Sequence, residues 1–100
     1  MKKLYLVSLL GIAALAGCAT TAPGGMVAGQ FVNYECEGGK RFQARLAADG
    51  SSVRIRYEGG YELDHKGNGV YEGEGFRLTT QGGVELSHHG KVTHKACKRV

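Results

Sequence analysis

The sequence predicts an all-β domain, a small antiparallel barrel or sandwich of seven or eight short strands. Two features of the pattern point there. From residue 30 onward apolar residues alternate with polar ones, the period-two signature of half-buried strands, and no helical apolar stripe interrupts them. Glycine-rich turn signals also recur at short intervals, among them Asp49-Gly50, Gly59-Gly60, Gly67-Asn68-Gly69, Gly73-Glu74-Gly75 and Gly82-Gly83. Composition adds the third: 17 glycines, one proline and 42% hydrophobic residues in 100 exclude a collagen-like, proline-rich or disordered acidic chain. The length also leaves no room for repeated strand-helix-strand units of about 30 residues each, which excludes a cofactor-binding α/β enzyme.

The elements follow in order. Val32, Tyr34 and Cys36 form the first inward set, and after the turn Glu37-Gly38-Gly39-Lys40 come Phe42, Ala44 and Leu46. Asp49-Gly50 marks a hairpin into Val53, Ile55 and Tyr57. Gly59-Gly60 leads to Tyr61 and Leu63, Gly67-Asn68-Gly69 to Val70 and Tyr71, and Gly73-Glu74-Gly75 to Phe76 and Leu78. In the last hairpin Val84, Leu86 and His88 are expected to face Val92, His94 and Ala96. That parity requires an odd loop, His89-Gly90-Lys91.

The N-terminus reads as an address. Lys2 and Lys3 precede an apolar run from Leu4 to Ala16, too short at 1.5 Å per residue to cross about 30 Å of hydrocarbon. Leu15-Ala16-Gly17-Cys18 resembles the bacterial lipobox, which implies a signal peptide over residues 1–17, cleavage before Cys18, and acylation of Cys18 by chains such as palmitate. Several acyl chains make a stable membrane anchor. Ala19 follows the cysteine rather than the Asp of an inner-membrane retention signal, so the expected location is the periplasmic face of the outer membrane. Residues 18–29 read as the lipidated cysteine and a flexible tether, and residues 30–100 as the folded domain. Loss of Lys2 and Lys3 leaves eleven of the thirteen lysines and arginines against nine acids. So small an excess, in an exported protein with no basic stripe, argues against a nucleic-acid partner.

With Cys18 acylated, Cys36 and Cys97 remain as a pair. In an oxidising compartment a disulfide is the default, and closing a loop of about 60 residues is worth roughly 4 kcal/mol on the loop-entropy model. A domain this small buries a modest share of its surface and benefits from such a staple. Two buried free thiols are the competing reading.

Four histidines, His65, His88, His89 and His94, invite a metal site, but His88 and His89 point to opposite faces of a strand and nothing implies three converging ligands. The histidines are expected to be exposed or half-buried, with no metal and no cofactor. Asp64, Ser87 and His88 could be drawn as a triad, yet no nucleophile elbow surrounds the serine and no catalysis is expected. The glycines form no phosphate loop, since no strand-to-helix transition follows them. Residues 58–85 carry six acids against two bases, and residues 86–100 carry four bases and no acid. Such a division suits a protein partner with complementary patches, or two solvated faces.

Tyr34-Glu35-Cys36-Glu37-Gly38-Gly39-Lys40-Arg41-Phe42, then Asp49-Gly50 with Val53-Arg54-Ile55, a glycine-rich loop ending in Tyr71, and the terminal Ala96-Cys97 resemble the membrane-bound lysozyme inhibitors of C-type lysozyme. The resemblance spans about residues 31 to 98. It implies an eight-stranded antiparallel barrel closed by one disulfide, which inserts a loop into the lysozyme cleft. In that family a Ser engages the catalytic carboxylates and a Lys from a neighbouring loop reinforces it. In Lys66-Gly67-Asn68-Gly69-Val70-Tyr71, Asn68 stands in the Ser place and Tyr71 matches the family Tyr. Gln81 takes the Lys place across a one-residue gap, and Lys66 offers the charge. The alternative is that Gly67-Asn68-Gly69 is merely a tight turn and the barrel is a non-inhibitory envelope lipoprotein that binds another periplasmic ligand or protein.

Overall fold

The computed structural model describes residues 22–100, so the expected signal peptide and the acylated Cys18 lie outside the described residues. The chain forms β1 (Phe31–Glu35), β2 (Arg41–Leu46), β3 (Ser52–Arg56), β4 (Gly60–Gly67), β5 (Val70–Gly73), β6 (Phe76–Thr79), β7 (Val84–His88) and β8 (Lys91–Arg99). Each pairs antiparallel with the next, and β8 returns to β1, so the expected eight-stranded barrel is closed and no strand edge is open among the described residues. Among the described residues the eight strands close on one another around a single core that includes both bonded cysteines, which makes residues 22–100 a self-contained unit.

Alternation builds the core as the sequence indicates. In β2 Phe42, Ala44 and Leu46 are buried while Arg41 and Arg45 are exposed; in β3 Val53 and Ile55 are buried between Arg54 and Arg56. Three hairpins use two-residue turns: Asn68-Gly69, Glu74-Gly75 and His89-Gly90. In each, both residues have positive φ, between 51° and 84°. These are the values of a type I′ turn, whose twist matches the flanking strands.

The last hairpin departs from the sequence reading. His88 pairs with Lys91, so the loop has two residues rather than the expected three. Parity is restored further along by irregularities in β8: Ser87 faces Val92 but Leu86 faces His94, leaving Thr93 over, and Val84 faces Cys97 after a second shift. Ala96 takes a positive φ of 54° at that second shift. Each bulge reverses which face later side chains occupy. Val92 (48% exposed) and Ala96 therefore point outward, and His94 and Cys97 are the inward residues.

Part of the expected tether also packs on the barrel. Residues 22–30 form a strap: a single 3-10 turn at Pro23–Gly25, then Met26 at 2% exposure, then a parallel bridge from Ala28 to Leu46. The Gly29 amide donates to the Leu46 carbonyl at 2.8 Å, Arg99 donates to the Gly25 carbonyl at 3.1 Å, and the Tyr34 hydroxyl donates to the Gly24 carbonyl. Burial raises the Tyr34 phenol to about 12, against the opposing charge of Arg99. One flexible thioether that fills the end of a barrel leaves no periodic mark in the sequence.

Closure is thin at one place. β1 and β8 share only the rungs Tyr34 to Arg99 and Glu35 to Lys98, whereas β1 and β2 share five. The Cys36–Cys97 disulfide occupies the next position along this seam, and Lys40 Nζ donates across it to the Thr93 carbonyl at 2.9 Å. With its cysteines 61 positions apart in sequence, the bridge is expected to contribute about 4 kcal/mol by restricting the unfolded chain. Cys36→Ala with Cys97→Ala should lower the unfolding free energy by about 2 to 5 kcal/mol in denaturant titrations. A second expectation concerns Gly73, whose backbone lies so close to β4 that a methyl group there would collide with the Glu62 carbonyl and the Leu63 Cα. Gly73→Ala should therefore destabilise by about 1 to 3 kcal/mol, although φ there is ordinary for any residue.

Candidate functional site

Antiparallel topology sorts the connections into two ends. The strap end carries the β2–β3, β4–β5 and β6–β7 connections together with residues 22–30; the far end carries the β1–β2, β3–β4, β5–β6 and β7–β8 turns. The candidate loop is at the strap end. Asn68 occupies the first position of the β4–β5 turn, exposed, with φ of 51°. Asn tolerates this left-handed conformation better than most residues because its short amide bonds locally.

This turn is fastened to the β6–β7 loop. The Gly69 carbonyl accepts two hydrogen bonds from Thr80, from its amide at 3.0 Å and its hydroxyl at 2.9 Å. A Cβ on Gly69 would meet the Thr80 hydroxyl at 2.5 Å and the Gln81 Cγ at 3.2 Å, so only glycine permits this approach. The structure thus brings Asn68 and Gln81 together on two loops held as one. The strap joins them: a Cβ on Gly24 would lie 3.3 Å from the Thr80 methyl and 3.0 Å from Val84. Thr80, the pin of this arrangement, goes unremarked in the sequence reading, because a Thr before a glycine-rich loop carries no signal of its partner.

The other two residues of the expected contact set fall elsewhere. Tyr71 is 1% exposed and its ring stacks on His65 with centroids 4.8 Å apart, so it is a core residue rather than a contact residue. Burial raises its phenol pKa. Its position inside the barrel follows from pairing: Tyr71 faces His65 and Leu78 in register, on the face that alternation turns inward. Lys66 sits beside the β4 irregularity and looks outward, on the flank of a groove of about 760 Å³ over β4 to β8. Glu72, Arg77, Thr79, Glu85 and Ser87 also line this groove, and Arg77 pairs with Glu72 at 3.2 Å.

The histidines act mainly as aromatic plates. His88 stacks on Phe76 at 4.0 Å and lies 4.1 Å from His89, while Phe76 also meets Tyr61 at 4.5 Å. Among the described residues no three His, Cys, Asp or Glu side chains converge as metal ligands. Ser87 lines the outer groove whereas His88 faces Phe76 on the inward side, so the Asp64, Ser87 and His88 set is not assembled. Much of the acidity is also engaged locally: Glu62 binds Arg54 at 3.0 Å, and Glu74 accepts from the Glu62 amide at 2.9 Å.

His94 corrects the expectation of exposed or half-buried histidines, since it is 1% exposed. The β8 bulges turn it inward, edge-on to Tyr57 at 4.6 Å and Phe42 at 5.3 Å. Its Nε2 lies 3.2 Å from the Arg41 carbonyl and its Nδ1 2.8 Å from the Thr93 hydroxyl. A carbonyl only accepts, so Nε2 carries the proton in the neutral ring, and the single Thr93 hydroxyl proton is shared between Nδ1 and the Leu86 carbonyl 3.2 Å away. Loss of solvent lowers the His94 pKa; the Arg41 carbonyl opposes this, and the charge of Lys40 reinforces it.

Comparison with known proteins returned no match to any family model, curated protein or solved structure.

The His94 environment gives a pH dependence. The folded state holds the ring neutral below its ordinary value of 6.5, while the unfolded chain takes up a proton near that value. Stability is therefore complete above about 6.5 and falls as pH drops from there toward the lower folded-state pKa. His94→Gln should flatten this decline in unfolding free energy between about pH 7 and 5, while also lowering stability at neutral pH, as paired titrations of melting curves would show.

Proposed function

We propose that this domain is a lysozyme inhibitor, directed most directly at C-type lysozyme, and held at the periplasmic face of the outer membrane through an acylated Cys18. A glycosidase cleft of this kind presents two carboxylates flanking the scissile bond. Donors that reach both would exclude substrate without any chemistry of their own. The observation that carries the reading is the double hydrogen bond from Thr80 to Gly69, which makes one projection of the Asn68 turn and the Gln81 loop. Two side-chain amides are thereby presented from one pre-ordered surface, so little conformational freedom is lost on insertion. The resemblance of the Tyr34 to Phe42 segment and of the cysteine pair to the inhibitor family supports the same reading, as does the closed barrel itself. Lys66, on the neighbouring flank, would meet the rim of the cleft. Tyr71 serves by supporting the turn from within.

A second reading is favoured by the groove over β4 to β8. Its lining of both signs, Lys66 and Arg77 with Glu72 and Glu85, suits a zwitterionic wall fragment better than a uniformly charged ligand.

The deciding experiment is inhibition of cell-wall lysis by purified residues 22–100 against C-type, goose-type and invertebrate-type lysozymes. Asn68→Ala with Gln81→Ala should weaken inhibition about 30-fold or more, equivalent to about 2 kcal/mol at the centre of an interface. Glu58→Gln, at the far end, should leave it within about twofold. If the double variant inhibits as well as the unmodified domain, the loop assignment fails; if no lysozyme is inhibited, the groove reading replaces the inhibitor one.

A further inference from the structure

The outer face of β1 to β3 carries a feature that neither reading uses. Arg41, Arg45, Arg54 and Arg56 all project from it. Arg41 is neutralised by Glu35 at 2.8 Å and Arg54 by Glu62 at 3.0 Å. Arg45 and Arg56 have no carboxylate partner among the described residues; Arg56 has only the Gln43 side-chain oxygen, at 3.5 Å. Both instead converge on one aromatic ring, their guanidinium carbons lying 4.8 Å and 3.9 Å from the centroid of Phe31. The sheet also places Arg45 directly opposite Arg54, whose charge Glu62 takes up, so Arg45 has no carboxylate across the strand pair. Two cations held on a shared apolar plate, without a carboxylate partner among the described residues, make a pre-ordered site for anionic oxygen.

We propose that this face, centred on Phe31, Arg45 and Arg56, docks on an anionic lipid surface and binds the phosphates of its headgroups. The position of the site selects that occupant. Phe31 follows the strap without a break, and the strap is bridged to Leu46, the neighbour of Arg45. Cys18 precedes Ala22 by four residues, so a chain acylated there holds the strap end within about 14 Å of the bilayer. Charge complementarity agrees, because juxtamembrane cations gain about a tenfold preference or less each from an anionic leaflet. Asp49 in the adjoining β2–β3 loop keeps its negative charge, its carboxylate held by the Ser51 amide at 3.0 Å and hydroxyl at 2.7 Å, and is one acid against the two unpaired arginines. The choice of a lipid rests on acylation of Cys18, while the two-arginine site rests on geometry alone.

The test uses unacylated residues 22–100 in sedimentation with phosphatidylcholine vesicles, with and without phosphatidylglycerol. Partitioning should require phosphatidylglycerol and should fall steeply with added salt. Arg45→Gln with Arg56→Gln should reduce it about tenfold or more, and Arg45→Lys with Arg56→Lys should retain most of it. Lys91→Gln with Arg77→Gln removes the same net charge from the β6 to β8 side and should change partitioning by no more than about twofold. The proposal is overturned if neutral vesicles bind equally, if the Arg45 and Arg56 to Gln pair partitions like the unmodified domain, or if the Lys91 and Arg77 control loses as much. Retention on polyglutamate without vesicle binding overturns it too, in favour of an acidic protein face. Lysozyme inhibition measured on the same samples keeps the two readings separate, because Arg45 and Arg56 lie outside the Asn68 and Gln81 loops.

Discussion

Closing eight strands at a seam of two rungs is the constraint on which the other features depend. A barrel this small gains its stability by leaving no edge, yet the ladder between β1 and β8 is its shortest, and it is there that the chain places Cys36–Cys97 and the Lys40 to Thr93 bond. Anything that loosens the seam also loosens the strap, because Tyr34 and Arg99, the first of the two rungs, are the residues that hold Gly24 and Gly25. The bulges in β8 belong to the same arrangement. By shifting register twice they bring Cys97 to the inner face at the position opposite Val84 and level with Cys36, at the cost of exposing Val92. His94 fills the space thus turned inward, and its two ring nitrogens are both satisfied there, which is the condition for burying a polar ring at tolerable free energy.

Most of this fold was legible from residue pattern. Phe42, Ala44 and Leu46, or Val53 and Ile55, could only alternate as they do on strands with one buried face. Asn68, Gly69 and Gly75 are residues that accept the left-handed conformation a tight hairpin demands, whereas Glu74 takes it without that preference. What escaped was irregular by nature. A bulge adds one residue to one strand and follows from long-range pairing, so neither Thr93 nor Ala96 marks it locally; the pairing of Leu86 with His94 is as the alternation indicates, while Val92 and Ala96 turn outward. Met26 was missed for the related reason that a single plug has no period.

The candidate site was legible in part, and for a physical reason that separates its members. Asn68 could be placed because turn chemistry is local. Gln81 could be aligned but not located, since its approach to Asn68 depends on Thr80 reaching Gly69 across the barrel end. Tyr71 reads as a contact in the sequence but is buried, because a position two residues beyond a turn looks the same whether it faces a partner or the core. Only its pairing with Leu78 and His65 decides the matter.

The two proposals also constrain each other through the shape of the domain. The strap, the Asn68 turn and the Gln81 loop occupy one end, so a barrel standing upright on a short lipid tether would present its candidate inhibitory surface to the membrane, where no protein-sized partner fits. Docking through Arg45, Arg56 and Phe31 removes that conflict. It lays the barrel on β1 to β3, which turns the strap end sideways and directs β5 to β7, with the groove they form, away from the bilayer. The Asn68 and Gln81 loops belong to strands β4 to β7, on the half of the barrel remote from the arginines, and so stay open to a partner arriving from solution. On the two proposals together a tether of a few residues would suffice, because orientation would come from the charged face and attachment from the acyl chains. Lengthening the tether would substitute for the arginines only by letting the barrel tumble, with the loops facing outward for a fraction of the time.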